Sequence, residues 1–424
     1  MRLVKTTTAA GICAGLLLAT SVPANAAVDA KLLEMLRANG SITAAQHDEL
    51  QAELVKDNQV AAQKKKEDLS AFEQKVAWAA KTQVKGDIRL RHESVDASTN
   101  VPSNISGDQD RQRVRARLGV YSEINPQVDA GIRLATGSGT SGDGRSTNQS
   151  LAGMSQKSFW LDQAYLDYHP TAIPNLHVIG GKMAQPWVSM GDVIWDGDIN
   201  PEGLALTYKL PLAGKTELFG STGYYILTDN VDGEGYQFEH DLRMYTGQAG
   251  VRFAPADSIK VTLGGSLYAF DKDKDTTTLA INGNAPGSNE FQLYEGFGQV
   301  DLTGLPLPLS FYGQYVVNGD AQRTATVGKE DTAYLFGVKT KFYGIGLDYN
   351  YRDVERNSVV GAFTDSDFGN GYTGGKGHKI KIGYDIDKNF SVGAAYLMAK
   401  DSYVASGDNK QDVDTLQLDV EAKF

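Results

Sequence analysis

From Lys81 to its end the chain alternates between apolar and polar residues with a period of two. Val84, Ile88 and Leu90 alternate with Lys85, Asp87, Arg89 and Arg91. Val114, Ala116, Leu118 and Val120 alternate with Arg113, Arg115, Arg117 and Gly119, and Ile380, Ile382, Tyr384 and Ile386 with Lys379, Lys381 and Asp385. The chain closes on DTLQLDVEAKF, where Leu416, Leu418, Val420, Ala422 and Phe424 fall on one side and Thr415, Gln417, Asp419, Glu421 and Lys423 on the other. Side chains of a β-strand point alternately to its two faces, so each run predicts a strand with one apolar and one wet face. About sixteen such runs follow one another, with no repeated sequence beneath the pattern. Phe159 to Tyr168 is the run that alternates poorly.

Residues 29 to 80 have another texture: rich in Ala, Lys, Glu and Gln, without Pro, and with Gly40 as the single Gly. Leu32, Leu33 and Leu36 form a short apolar stripe ending near Gly40, a predicted C-cap. Thr43 followed by Gln46 fits a capping box and opens a second predicted helix, with Leu50, Leu54, Leu69, Phe72 and Val76 on its thin apolar face. Such a helix is marginal alone and gains from pairing with copies of itself, which predicts a coiled-coil stalk. Lys64, Lys65 and Lys66 read as a solvated face. Before this segment, Arg2 and Lys5 precede an apolar run around Ala9 to Ala19 and then Ala24-Asn25-Ala26, the layout of an export signal cleaved after Ala26. The predicted division is therefore 1–26 signal, 27–80 helical segment and 81–424 strands.

The connections between strands alternate in length. Short turns such as Asn125-Pro126-Gln127, Phe342-Tyr343-Gly344 and Asp387-Lys388-Asn389 take turns with long polar loops near 96–108, 138–156, 183–201, 229–243, 271–290, 318–330, 354–376 and 401–410. Strict alternation is what an up-and-down transmembrane barrel needs, with its short turns on the periplasmic side. Sixteen strands over residues 81–424 leave roughly 21 residues for each strand with its share of loop, room for the ~9–11 that cross a bilayer. The expected fold is all-β: a 16-stranded antiparallel transmembrane β-barrel behind a short helical segment. Its last strand closes on its first, which removes the exposed edge.

Composition narrows the function. The single cysteine, Cys13, lies in the signal, so the exported chain is expected to hold together without disulfides. Loss of Arg2 and Lys5 takes the net charge from −11 to −13, against a nucleic-acid partner, whose binders carry a basic face. A mean hydropathy of −0.33 does not exclude a membrane barrel, because only alternate residues need be apolar.

Sixteen strands leave room for an aqueous channel. The inward face of the first three strands carries Arg89, Arg91, Arg113, Arg115, Arg117 and Arg133, which neighbouring strands stack into a basic wall. A wall of like charge needs something to oppose it. The third long loop, Gly180 to Gly203, carries Asp192, Asp196, Asp198 and Glu202 together with Trp187, Val193, Ile194 and Trp195, apolar for an exposed loop. Folded inward, its carboxyls are expected to face the arginines and set a transverse field across a narrowed pore. Anion preference, cation preference and a dedicated substrate such as phosphate all remain open at this point.

Gly181-Lys182-Met183 through Pro186-Trp187, then Ile194-Trp195-Asp196-Gly197-Asp198-Ile199-Asn200-Pro201-Glu202-Gly203, resembles a motif of the Gram-negative putative porin family. LLEMLRANGSITAAQHDEL resembles the helical segment that precedes the barrel in that family and in phosphate-selective porins. The resemblance implies a trimeric sixteen-stranded outer-membrane porin with an infolded third loop, passing small hydrophilic solutes and ions. The acidic-aromatic-Gly-Gly motif of general diffusion porins is missing from this loop. A terminal Phe424 on an alternating strand also resembles the signature read by the barrel-assembly machinery. The other expected partners are outer-membrane lipid and lipopolysaccharide, with Tyr and Phe at strand ends as interface girdles.

No cofactor or metal site is expected. Gly137 to Gly142 matches G-x-G-x-x-G but opens no helix. Asp271 to Asp275 begins like a calcium loop but has Thr276 where Gly belongs and Asn282 where the closing Glu belongs. His47, His92, His169, His177, His240 and His378 are far apart in sequence and form no H-E-x-x-H pair. No nucleophile with a base and an orienting group can be assembled, so a lipase or protease barrel is not expected. A plugged transporter would need a far larger domain ahead of the barrel. A non-conducting adhesive or structural barrel shares every feature except an open pore.

Overall fold

A computed structural model describes residues 25–99, 108–137, 143–285, 287–323, 328–403 and 410–424. The expected export signal through Ala24, with Cys13, and most of the Gly137–Gly142 motif lie outside the described residues. The chain divides into two compact units, one ending at Ala80 and the other starting at Lys81.

The first unit is helical: α1 (Asn25–Ala38) and α2 (Ala44–Ala80). Gly40 stops α1 in the left-handed region at φ +68°, while the Ser41 N–H donates back to Leu36 O at 2.9 Å. The capping box at the start of α2 is reciprocal. The Thr43 N–H donates to Gln46 Oε1 at 3.0 Å, and the Gln46 N–H to Thr43 Oγ1 at 3.3 Å. Leu50, Val60 and Leu69 of α2 are exposed.

The second unit is a closed antiparallel barrel. Its strands run β1 (Thr82–Thr99), β2 (Asp108–Asn125), β3 (Val128–Thr136), β4 (Gln149–Ser150), β5 (Phe159–Tyr168), β6 (Leu176–Lys182), β7 (Glu202–Leu212), β8 (Thr216–Thr228) and β9 (Leu242–Ala256). They continue as β10 (Ile259–Asp271), β11 (Gln292–Leu302), β12 (Leu309–Asn318), β13 (Thr332–Phe342), β14 (Ile345–Val354), β15 (Lys376–Asp385), β16 (Phe390–Tyr403) and β17 (Lys410–Lys423). β4 is a two-residue rung laid on β2 at Arg113 and Val114. The other sixteen each pair with their neighbours in chain order, and β17 returns to β1, from Asp87 opposite Lys423 to Thr99 opposite Gln411. Beyond that ladder, Phe424 and Gly86 exchange both backbone hydrogen bonds at 3.0 Å.

The alternation maps onto the two faces of the wall. Leu90, Leu118, Ile382, Leu418 and Val420 are exposed on the outside, while Arg91, Arg113, Arg115, Lys379 and Gln417 are buried on the inside. The poorly alternating run is a β-bulge. β5 pairs Gln163 with Arg133 but Leu161 with Leu134, so Asp162 is skipped and the phase flips there. Asp162 and Gln163 are consequently both buried on the inner face.

Candidate functional site

The third loop, residues 183–201 between β6 and β7, folds into the barrel. Trp187, Val193, Ile194 and Trp195 are 7, 0, 2 and 3% exposed. They pack on inward side chains from strands β8 to β13, among them Tyr225, Met244, Tyr268, Leu293 and Leu335. Trp195 lies edge-on to Tyr268 at 5.3 Å between ring centroids. Gln248 of β9 grips the loop backbone, accepting from the Val188 N–H at 2.7 Å and donating to Val188 O at 2.9 Å. At the loop's exit, the bulged pair holds Asn200: its Nδ2 donates to Asp162 Oδ1 at 2.8 Å, and Gln163 Nε2 donates to its Oδ1 at 2.7 Å.

A second loop, residues 355–375 between β14 and β15, also folds inward, which the sequence reading treated as an ordinary long polar connection. Val359 and Val360 are fully buried, and Phe363 stacks on Trp195 at 5.2 Å. The two loops are laced together: the Asp196 N–H donates to Phe363 O at 2.7 Å, the Asp365 N–H to Asp192 O at 3.1 Å, and Thr364 Oγ1 to Val193 O at 2.7 Å. The signal was present as Val359-Val360, Phe363 and Phe368, apolar residues of the same kind that marked the third loop.

The six arginines stand on the inner face of β1, β2 and β3, with Arg89 directly opposite Arg115 and Arg91 opposite Arg113. Like charges in such register repel. Most of the carboxyls that offset them come from the strands themselves. Arg91 makes two bonds to Asp419, at 2.7 and 2.8 Å, and a third to Asp367 at 3.2 Å. Arg115 bonds Asp87 at 2.8 Å and Glu421 at 2.9 Å; Arg117 bonds Asp87 at 2.7 Å; Arg113 lies 3.3 Å from Glu93. Arg133 pairs with Asp162 at 2.5 Å. Arg89 donates to Asn148 Oδ1 at 2.6 Å and comes no nearer than 3.9 Å to Asp419.

Of the four third-loop carboxyls, Asp198 alone reaches the arginine wall, 3.5 Å from Arg117, while also accepting from Thr147 N–H and Oγ1 at 2.9 Å. Asp192 instead binds Arg352 of β14 and Lys379 of β15, each at 2.6 Å, and Asp365 binds the same two cations at 3.0 and 2.8 Å. Burial raises the Asp192 carboxyl, but Arg352 and Lys379 outweigh it and hold it well below the usual range. Asp196 has no such partner among the described residues: it accepts from the N–H groups of Asp198 and Ser366 at 2.9 and 2.8 Å. Burial, then the neighbouring Asp365, push its carboxyl up to about 8. Glu202 stands apart at the start of β7, paired with Lys182 at 2.6 Å.

Between wall and loops remains a cavity of about 440 Å³, lined by Arg89, Arg91 and Arg115, by Lys379 and Lys381, and by Asp192, Asp196 and Asp198. Arg113, Arg117, Arg133 and Glu202 do not line it. Its floor is Gly383, Gly393 and Ala395, inward positions of β15 and β16 that carry little or no side chain. Sequence reasoning missed this floor, the two lysines beside it, and Asp87, Glu93, Asp419 and Glu421 inside the arginine wall.

Two other groups lie outside this cavity. Asp232, Glu234 and His240 bring ligand atoms within 4.8 Å of one another, but Asp232 is bonded to His240 at 2.9 Å and to Lys272 at 3.1 Å. In the stretch that begins like a calcium loop, Asp271 pairs with Arg243, and Asp273 accepts the Phe291 N–H at 2.7 Å. His169 and His177, on either side of the short β5–β6 connection, meet with rings 5.6 Å apart.

Comparison with known proteins places this geometry. A family model described as Putative porin matches residues 93–290 and 340–424. The high-pH structure of Pseudomonas putida OprB aligns with a TM-score of 0.54 at 10% identity, covering 84% of this chain and 97% of that one. A Salmonella typhi OmpF complex with daunomycin aligns with a TM-score of 0.48 at 14% identity, covering 81% and 97%. Phosphate starvation-inducible protein 1 of Pseudomonas fluorescens is 74% identical over 31 residues, 7% of this chain and 80% of that protein.

Proposed function

The chain belongs to the family described as Putative porin, and on that premise we propose that this outer-membrane porin passes small hydrophilic solutes and ions by passive diffusion, without cofactor or chemistry. The observation that carries the reading is the polar cavity left between the arginine wall and the two infolded loops. A constriction of this kind selects by size and by the field of its fixed charges. The same reading gives the chain export by a signal cleaved after Ala26, a periplasmic helical segment over 27–80 and a barrel over 81–424. The exposed Leu50 and Leu69, from the thin apolar face of α2, support pairing of that segment between copies in a homotrimer. The exposed apolar exterior of the strands takes outer-membrane lipid and lipopolysaccharide, and Phe424 at the closing seam is the contact for the assembly machinery.

A substrate-selective anion porin is the second reading. It is favoured by Arg89 and Lys381, cavity-lining cations without a close counter-ion among the described residues. The short likeness to a protein named for induction by phosphate starvation is in keeping with it. Planar-bilayer conductance of the purified protein under a salt gradient tests both. Stepwise insertions, in threes, with a defined reversal potential are expected. A folded, inserted protein that leaves the bilayer closed would sink the channel and favour an adhesive or structural barrel.

A further inference from the structure

We infer that the constriction holds one inorganic oxyanion, of the size of phosphate or sulfate, between Lys381 of β15 and Arg89 of β1 above the Gly383 and Gly393 floor. The inference deepens the channel reading and rests on it.

Three observations carry it. First, the charges around the cavity differ in commitment. Asp192 and Asp365 are taken up by Arg352 and Lys379, Asp419 and Asp367 by Arg91, and Asp198 by Thr147 and Arg117. Lys381 makes no hydrogen bond or ion pair among the described residues. The carboxyl opposite it across the β14–β15 ladder, Asp348, is bonded to the Tyr312 hydroxyl at 2.5 Å. Arg89 leaves its buried Nε without a partner. Two cations with spare donors therefore line one polar cavity, and an oxyanion is the ligand that fills such donors.

Second, the space between them is kept open. A Cβ built at Gly383 would meet nothing nearer than 3.8 Å, so backbone crowding does not dictate glycine there, whereas one at Gly393 would press on Ile382 O at 3.2 Å. The strand ladder sets Gly383 opposite Gly393 and Gly393 opposite Asp419, so from the β15 lysines toward the β1 arginines the inner face carries two glycines and then the Asp419 carboxyl, which Arg91 holds.

Third, Asp196, the carboxyl in this cavity without a cation, is held at about 8 by burial and by Asp365, and so is largely protonated at neutral pH. The local balance then tips positive.

The test adds inorganic phosphate to the native protein in two formats. In planar bilayers, phosphate should reduce the chloride current in a saturable way. In detergent, calorimetry should show phosphate binding to the folded protein. Lys381→Gln, at an exposed and unpartnered site, and Arg89→Gln should each weaken both effects about tenfold, the loss of one charged hydrogen-bonding partner. Native-like migration of the unheated protein on a gel confirms that each variant folds. Phosphate binding undiminished in the double variant would overturn the site. Conduction of chloride without block, together with silent calorimetry, would overturn the inference and leave the channel standing. An inserted but non-conducting protein would sink the channel reading, and calorimetry would still decide the site.

Discussion

Arg352 of β14 donates from Nη2 to Asp192 Oδ1 of the third loop at 2.6 Å. The loop leaves the wall between β6 and β7, so this bond spans the lumen to the opposite side of the barrel. It ties the middle of the loop to the far wall.

Replacing Arg352 by Met should leave Asp192 and Asp365 sharing Lys379 alone, in a buried setting. Breaking a buried pair from one side costs about 3 kcal/mol. The variant is expected to unfold at lower temperature on heated gels and to show larger, noisier single-channel currents. Unchanged current noise would mean that the loop is held by its apolar packing instead.

Trp195 is the apolar counterpart of that anchor, touching Tyr268 and Phe363. Trp195→Ala should cost about 3 kcal/mol, the usual penalty for emptying a large aromatic site. Protease added from outside intact cells should then cut within residues 183–201 of the variant and leave the same stretch of the native chain intact.

Asp196 should make the pore sensitive to pH. Its carboxyl, ordinarily near 3.8, is raised to about 8 in the fold, so the folded state binds the proton more tightly than the unfolded chain. Its contribution to stability is therefore full below about pH 4, falls as the pH rises toward 8, and is flat above. A negative charge appears in the cavity over the upper part of that range. The reversal potential should move toward cation preference between about pH 7 and pH 9, and Asp196→Asn should remove the shift.

Gly383 tests the floor. Its Cβ position is open, so Gly383→Leu should fold with an unchanged melting temperature while its side chain enters the passage. Conductance should fall at least about twofold, by loss of open cross-section. A normal conductance would place the solute path elsewhere.

Barrel closure rests on another glycine. A Cβ at Gly86 would meet the Phe424 ring at 2.5 Å and Arg117 O at 2.6 Å. Gly86→Val should block the seam between β1 and β17, and the expected readout is a sharp loss of the heat-modifiable folded form. Efficient folding of that variant would show that the terminal residue is dispensable for closure.

The sequence by itself determined the barrel. A period of two is a property of each strand alone, so Leu416 to Phe424 or Val114 to Val120 declares its faces without reference to any neighbour. The Gly40 cap and the Thr43–Gln46 box are equally local, made by residues three or four apart. The apolar content of residues 183–201 was enough to bring the third loop inside. What it packs against left a fainter mark: Tyr225, Met244, Tyr268, Leu293 and Leu335 are apolar on faces that should be wet, a lapse in alternation that makes sense only once the loop lies on them. Charge pairing was decided by tertiary structure alone. Arg91 meets Asp419 because β17 closes on β1, and Asp192 meets Arg352 because a loop crosses the lumen. Carboxyls on the loop and on the far end of the chain look alike in sequence. Which of them neutralises which arginine, and which cations are left over for a solute, depends on separations of a few ångströms between residues hundreds of positions apart.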